Sequence, residues 1–296
     1  MKFVSLLTTL SLIASVFAVN VTSRDGTQIW AEATGDPTKP AVVFIPGFSC
    51  TSLAFNKQWY DTKMLQSLYM IRYDVRGQGL SGQPLSNSSY LSQGFADDFV
   101  AVINYFGVGK KKPILAGWSM GGVTAADIAT YYGTGIISGV VLMGSFPYRN
   151  MLTDVATPWI LNFIPALLDP SLANFGPTAK TFAESCVAYG DQLDQNVKYA
   201  WMGAVAGQNP NIRTWSIPHT QDETALLKVK ATLPYLVLHG TMDHHIDGQK
   251  LQAFLTGNFG NFDFHIWDNV GHASFFDAPD KANPLIIKFA YQYWNH

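Results

Sequence analysis

The ten residues Pro113-Ile114-Leu115-Ala116-Gly117-Trp118-Ser119-Met120-Gly121-Gly122 constrain this chain more than any other stretch. A short apolar run, read as a strand, passes through Gly-x-Ser-x-Gly into Val123 to Tyr131, read as a helix. A serine on so sharp a strand-to-helix turn sits in strained backbone that only small neighbours tolerate, and Gly117 and Gly121 supply the room. The turn holds the hydroxyl clear of the sheet. It also aims the backbone N–H of Met120, at the positive end of the new helix, where negative charge can be received. A glycine-rich turn without chemistry would satisfy the pentapeptide equally well, so the decision falls to the rest of the chain.

Three further segments end strand-like runs in polar loops. Leu233 to Gly240 reads as a buried strand ending in glycine, and Asp243 follows in the loop, at the strand end where open parallel sheets place functional groups. Phe262 to Trp267 reads as another strand, and its loop, Asp268-Asn269-Val270-Gly271-His272, carries a histidine after a glycine. Ala41 to Ile45 breaks into Pro46-Gly47-Phe48, a loop able to point the Phe48 N–H at the same charge as Met120. In chain order these are serine, acid, histidine. A serine hydroxyl is a poor nucleophile until a neighbour removes its proton. His272 is read as that base, Asp243 as the acid that orients it, and the Phe48 and Met120 amides as the oxyanion hole.

Rivals exist for each role. His244 and His245 directly follow the acid and are expected to be solvent-facing loop residues, while His239 and His265 lie inside strand runs and read as structural. Asp247 is the alternative acid. Asp268 is expected to brace the histidine loop, and Asp74 and Arg76 to make a structural ion pair or turn-bracing bonds.

With these motifs the chain resembles the α/β-hydrolase superfamily, of the capped type that includes small-molecule esterases, lactonases and cofactor-free perhydrolases. The resemblance is carried by Ile45-Pro46-Gly47-Phe48, Tyr73-Asp74-Val75-Arg76-Gly77-Gln78-Gly79-Leu80-Ser81, Gly117 to Gly122, Gly240-Thr241-Met242-Asp243 and Gly271-His272, and it runs from Ile29 to the C-terminus. It implies that Ser119 is the nucleophile, His272 the base and Asp243 the acid. Two positions depart from the common pattern: Pro46 and Gln78 stand where relatives often carry histidine. Neither change removes a catalytic group. A serine nucleophile argues against the epoxide hydrolases and haloalkane dehalogenases, which use aspartate there.

Elsewhere the elements alternate. Strand-like runs fall at 41–45, 69–73, 113–116, 137–143, 235–238 and 262–267, with helical patterns at 95–106 and 123–132. Residues 28–34 are expected to add an antiparallel edge strand, and 281–294 a closing helix. The expectation is a mainly parallel eight-stranded sheet flanked by helices, with a helical cap inserted after the sixth strand. A core of 19–147 and 225–296 would surround a cap of 148–224. That insertion lacks strand-like runs and is punctuated by Pro158, Pro165, Pro170, Pro177, Pro210 and Pro218. Its large apolar residues can either pack or line a pocket, and the candidate pocket residues are Trp118, Trp159, Phe163, Trp201 and Trp215.

Residues 1–18 have one lysine, an apolar centre and a small-residue end, the layout of a secretory leader cleaved near Ala18. The sequons at Asn20 and Asn87 fit a glycosylated, extracellular protein. The formal net charge of −2, without a basic stripe, speaks against a nucleic-acid partner. Cys50 and Cys186 read as two free buried thiols, with one bridge between them as the alternative. The function expected is hydrolysis of small, fairly apolar carboxylic esters or lactones, with no metal or cofactor. Two alternatives stay open. One is an exopeptidase like the proline iminopeptidases, with Glu184, Asp191, Asp194, Asp222 and Glu223 as candidate amine-holding acids; the other is a slow-turnover ligand receptor on the same fold.

Overall fold

The computed structural model describes residues 17–171 and 174–294. Among them are the strands β1 (Phe17–Thr22), β2 (Gln28–Gly35), β3 (Ala41–Ile45), β4 (Tyr69–Tyr73), β5 (Ile114–Trp118), β6 (Gly139–Met143), β7 (Tyr235–Gly240) and β8 (Phe262–Trp267). They form one sheet in the order β1-β2-β4-β3-β5-β6-β7-β8. The pairings β1/β2 and β2/β4 are antiparallel and all others parallel.

The central strands β3, β5, β6 and β7 are buried at every position, as parallel strands covered on both faces must be. Successive side chains feed opposite layers. Val43 and Ile45 join one apolar cluster with Phe99, Val102 and Ala125; Val42 and Phe44 join the other with Trp59, Ile286 and Phe289. Helices α1 (Ser92–Tyr105) and α2 (Met120–Tyr132) cover the first face.

Between β6 and β7 the described chain forms no strand of the sheet. Its longer helices are α3 (Pro158–Leu168), α4 (Phe175–Ser185), α5 (Gln195–Gly207) and α6 (Pro210–Ser216). The prolines that break the rhythm of this region partly mark helix starts. Thr157 caps α3 ahead of Pro158, and Asn209 caps α6 ahead of Pro210, each side chain accepting a first-turn N–H. Past β7 come α7 (Gly248–Asn258), capped by Asp247, and the closing α8 (Pro279–Tyr293).

One expectation about the edge fails. β2 is antiparallel as expected, but β1 pairs along its whole length, from Phe17↔Ala33 to Thr22↔Gln28, and forms the edge instead. Phe17 and Ala18 also end the span read as a leader; residues 1–16 of that span lie outside the described residues.

Candidate active site

Ser119 stands between β5 and α2 with φ 51° and ψ −125°, a left-handed conformation in a residue with a side chain. Such backbone costs on the order of 1–3 kcal/mol and persists only where its surroundings over-determine it. Here they do. Ser119 N–H donates to Met143 O at 3.1 Å, and Ser145 Oγ donates to Ser119 O at 2.5 Å. Gly121 lets α2 begin against the end of β3, since a Cβ there would lie 2.2 Å from Ile45 O. Neither the Phe48 nor the Met120 N–H donates to another described group. The loop that carries Phe48 is braced by the unusual Gln78, whose Oε1 accepts Cys50 N–H at 3.1 Å.

Asp243 is almost completely enclosed in the loop after β7. Its Oδ1 accepts the His245 N–H at 2.7 Å and the Ile246 N–H at 3.0 Å. His272 Nδ1 lies 2.9 Å from Oδ2 and 3.0 Å from Oδ1. Burial pushes the Asp243 carboxyl up, but the charge and hydrogen bond of His272, with His239 and His245 behind them, outweigh it and hold its pKa well below the usual range. An ionised carboxylate only accepts, so Nδ1 of His272 carries the proton and Nε2 presents its lone pair. Nε2 is buried and has no partner among the described residues. Gly144, at φ 51°, lets β6 approach this histidine; a Cβ there would sit 2.1 Å from His272 O.

The rivals are placed elsewhere. Asp247 is spent on the α7 cap. Asp74 accepts from Ser52 N at 2.8 Å and Leu80 N at 2.9 Å, and Arg76 pairs with Asp98 at 2.7 Å and Asp25 at 2.9 Å. Asp268 is exposed and makes no hydrogen bond within the described chain. The histidine loop is braced instead by Asp277, which accepts Gly271 N and Ala188 N, both at 2.8 Å.

His245 is a correction and a gain. Rather than facing solvent, it is buried, its ring 4.0 Å from that of His272 and stacked between Trp159 and Phe182. Ser185 Oγ donates to Phe182 O at 2.8 Å, so it accepts from His245 Nε2 at 2.8 Å and fixes that tautomer. Burial and the neighbouring His272 push the pKa of His245 well below its usual value, keeping it neutral. Its recognisable signal is the Asp-x-His spacing. An aspartate that accepts the N–H groups two and three residues on folds the loop back over itself.

A cavity of about 70 Å³ opens on Ser119. Among the described residues, Phe48, Met120 and Phe182 line it around Ser119, and Arg149 and His245 are its only other polar walls. None of the tryptophans proposed for it lines it, and neither does Phe163. Trp118 and Trp201 pack on each other at 5.6 Å beneath the turn, and Trp215 packs on Tyr90 at 5.9 Å. In α3 it is Ile160, Ile164 and Leu167, one helix face, that line the cavity; Trp159 and Phe163 are one position round and stack on each other behind it. Cys50 and Cys186 are free and buried, and burial raises both thiol pKa values. Among the described residues no group of three or more His, Cys, Asp or Glu side chains is placed to hold a metal ion.

Comparison with known proteins agrees with this architecture. A Synechocystis protein provisionally named a non-heme chloroperoxidase is 25% identical over 254 residues, spanning 84% of this chain and 90% of its own length. A Burkholderia cenocepacia structure, provisionally an aryl esterase, superposes with a TM-score of 0.83 at 25% identity, covering 93% of this chain and 98% of that one. An esterase from Rhodococcus sp. ECU1013 gives 0.83 at 23% identity, over 93% and 99%. Residues 42–284 match the family described as "Alpha/beta hydrolase family". The chain belongs to the alpha/beta hydrolase family.

Proposed function

We propose that this protein is a serine hydrolase of small, fairly apolar carboxylic esters or lactones. The observation that carries the reading is His272, held by Asp243 through Nδ1 with a bare Nε2, its ring 5.9 Å from that of Trp118, the residue that precedes a serine fixed in left-handed backbone. Ser119 Oγ attacks the scissile carbonyl as His272 Nε2 takes its proton. The carbonyl oxygen becomes an oxyanion received by the Phe48 and Met120 amides, each such donor being worth on the order of 10²–10³ in rate. Collapse expels the alkoxide, which takes the proton from His272, and leaves an acyl-Ser119 ester. Water, deprotonated by the same histidine, then releases the acid and restores the serine.

The cavity speaks against the exopeptidase alternative. Glu184, Asp191, Asp194, Asp222 and Glu223 all lie outside its lining, and its one charged wall residue, Arg149, has the wrong sign for a substrate ammonium. A second reading draws on the chloroperoxidase-named relative: hydrogen peroxide replaces water at the acyl-enzyme and releases a peracid with Ser119 restored. We further place the protein outside the cell, on the leader-like layout of residues 1–18 and the exposure of both sequon asparagines, Asn20 and Asn87. N-terminal sequencing of the exported protein tests this; an uncleaved Met1 would refute cleavage at Ala18. Hydrolysis of para-nitrophenyl acetate and butyrate by wild type and Ser119→Ala tests the reaction class. Turnover surviving the substitution would break it.

A further inference from the structure

Arg149 stands on the first turn after β6 and lines the cavity that opens on Ser119. It is half-buried, and among the described residues no carboxylate forms an ion pair with it. Among the described residues its guanidinium makes no hydrogen bond, while its backbone N–H donates to Gln221 Oε1 at 2.7 Å and its carbonyl accepts the Leu152 N–H, which clamps its position. The acids in the neighbourhood are already engaged. Asp127 accepts from Ser92 Oγ and from Gln221 Nε2, and Glu223 accepts from Asn150 Nδ2 at 2.8 Å. Apart from Ser119 and the neutral His245, the remaining lining is apolar. A guanidinium without a counter-ion beside such walls is costly unless a ligand supplies the anion.

We propose that Arg149 is a specificity-determining residue that receives a carboxylate on the substrate, so that the preferred esters are monoanionic. The inference rests on the reading of this cavity as the substrate site of a serine ester hydrolase. Burial draws the Arg149 pKa down to about 10, against the pull of Asp127, which leaves the side chain charged at neutral pH. A guanidinium offers a planar fork that matches a carboxylate with two parallel N–H donors, and the apolar walls strengthen that pairing by excluding water. The class is therefore hemiesters of short dicarboxylic acids, with the charge on the acyl side, or esters of hydroxy acids, with the charge on the alcohol side. Both place a carboxylate a few atoms from the scissile bond.

The test compares kcat/KM ratios for wild type, Arg149→Gln and Arg149→Lys, with circular dichroism verifying that each variant is folded. The acyl-side pair sets the para-nitrophenyl hydrogen succinate and glutarate esters against the pentanoate and hexanoate. The alcohol-side pair sets a nitrophenyl butyrate with a ring carboxylate against the same ester without it. Arg149→Gln is expected to lower the anionic-to-neutral ratio roughly tenfold to a hundredfold in one pair, which identifies the side, and Arg149→Lys to lower it less. Ratios that move less than about threefold in both pairs would overturn the proposal. A turnover-free readout separates it from the reaction class. Calorimetry should show monomethyl glutarate binding to Ser119→Ala at least about tenfold more tightly than to the double variant Ser119→Ala/Arg149→Gln; equal affinities would overturn the anion site. If wild type hydrolyses no ester while this difference persists, the ester-hydrolase reading fails and the anion site stands.

Discussion

Replacing Asp243 with asparagine isolates one function of the buried carboxylate, because the local hydrogen bonds dictate which way the amide must face. Oδ1 accepts two backbone N–H groups, from His245 at 2.7 Å and Ile246 at 3.0 Å. If the amide nitrogen took that position, two buried N–H donors would lose their acceptor, at about 1–3 kcal/mol each. The carbonyl oxygen therefore stays at Oδ1 and the NH₂ takes the place of Oδ2, 2.9 Å from His272 Nδ1. The closest neighbour of Nδ1 is then a donor, and the remaining acceptor, Oδ1 at 3.0 Å, already takes two N–H groups, so the balance shifts toward the tautomer with its proton on Nε2. That leaves no lone pair for the Ser119 proton. The loss expected is on the order of 10⁴ in kcat, equivalent to about 5.5 kcal/mol of barrier. The assay is steady-state hydrolysis of para-nitrophenyl butyrate, with melting temperatures to show that the loop holds. Asp247→Asn is the control: it touches only the α7 cap and should leave the rate within a few-fold. A folded Asp243→Asn that keeps more than a tenth of wild-type kcat would refute the reasoning, and a large loss at Asp247 would reassign the acid.

Three other perturbations follow from the same geometry. Burial holds the pKa values of His239 and His245 below that of a free histidine, so as pH falls through about 6.5 the unfolded chain gains protons the folded chain refuses and stability drops. One such histidine contributes a slope of about 1.4 kcal/mol per pH unit, and urea titrations of folded His245→Gln between pH 5 and 7 should show the wild-type slope reduced by that amount; an unchanged slope would refute a neutral His245. Gly121→Ala would place a Cβ 2.2 Å from Ile45 O and 2.8 Å from Pro46 O, so overpacking should cost at least about 1–3 kcal/mol, and an unchanged midpoint in denaturant would contradict the close approach. The cavity of about 70 Å³ holds only a handful of water-sized volumes, so kcat/KM should peak at short acyl chains and collapse by palmitate; a palmitate optimum would show that the cavity does not set acyl length.

How much was legible in the sequence depended on whether a signal was one-dimensional. β3 and β8 coincide with their apolar runs because Pro or polar residues bound those runs on both sides. β1 was hidden because Phe17, Val19 and Val21 continue the apolar character of the residues before them, so alternation could not be told from a leader's end. The serine turn, Asp243 and His272 were readable because each sits just past a strand. His245 was excluded because it neighbours the acid, an argument that assumes an extended loop; the Asp243 carboxylate, accepting from residues two and three on, turns the loop back instead. The cavity lining failed through helical phase. Residue size singles out Trp159 and Phe163, but which face of α3 meets the serine is decided by the cap's docking, and Ile160, Ile164 and Leu167 are the face chosen.

Three residues at the carboxyl end of α4 carry the part of that docking that reaches His272. Ser185 Oγ holds His245 Nε2 at 2.8 Å, Cys186 O accepts Ala273 N–H at 2.6 Å, and Ala188 N–H reaches Asp277 at 2.8 Å. Asp277 holds Gly271 with its other contact, so the carboxyl end of α4 is bonded to both sides of His272 and to the ring stacked on it. Gly271 has no spare space either, since a Cβ there would lie 2.5 Å from Ala188 N. A segment that swung away from the sheet at this point would break the bonds that seat His272. The start of α3 is tied to the same loop, Thr157 N–H donating to His245 O at 2.9 Å, and α3 presents Ile160 and Ile164 to the cavity and Leu161 to solvent. On the proposed mechanism, substitutions in Ser185–Ala188 should therefore disturb kcat before they disturb the size of the acyl group accepted.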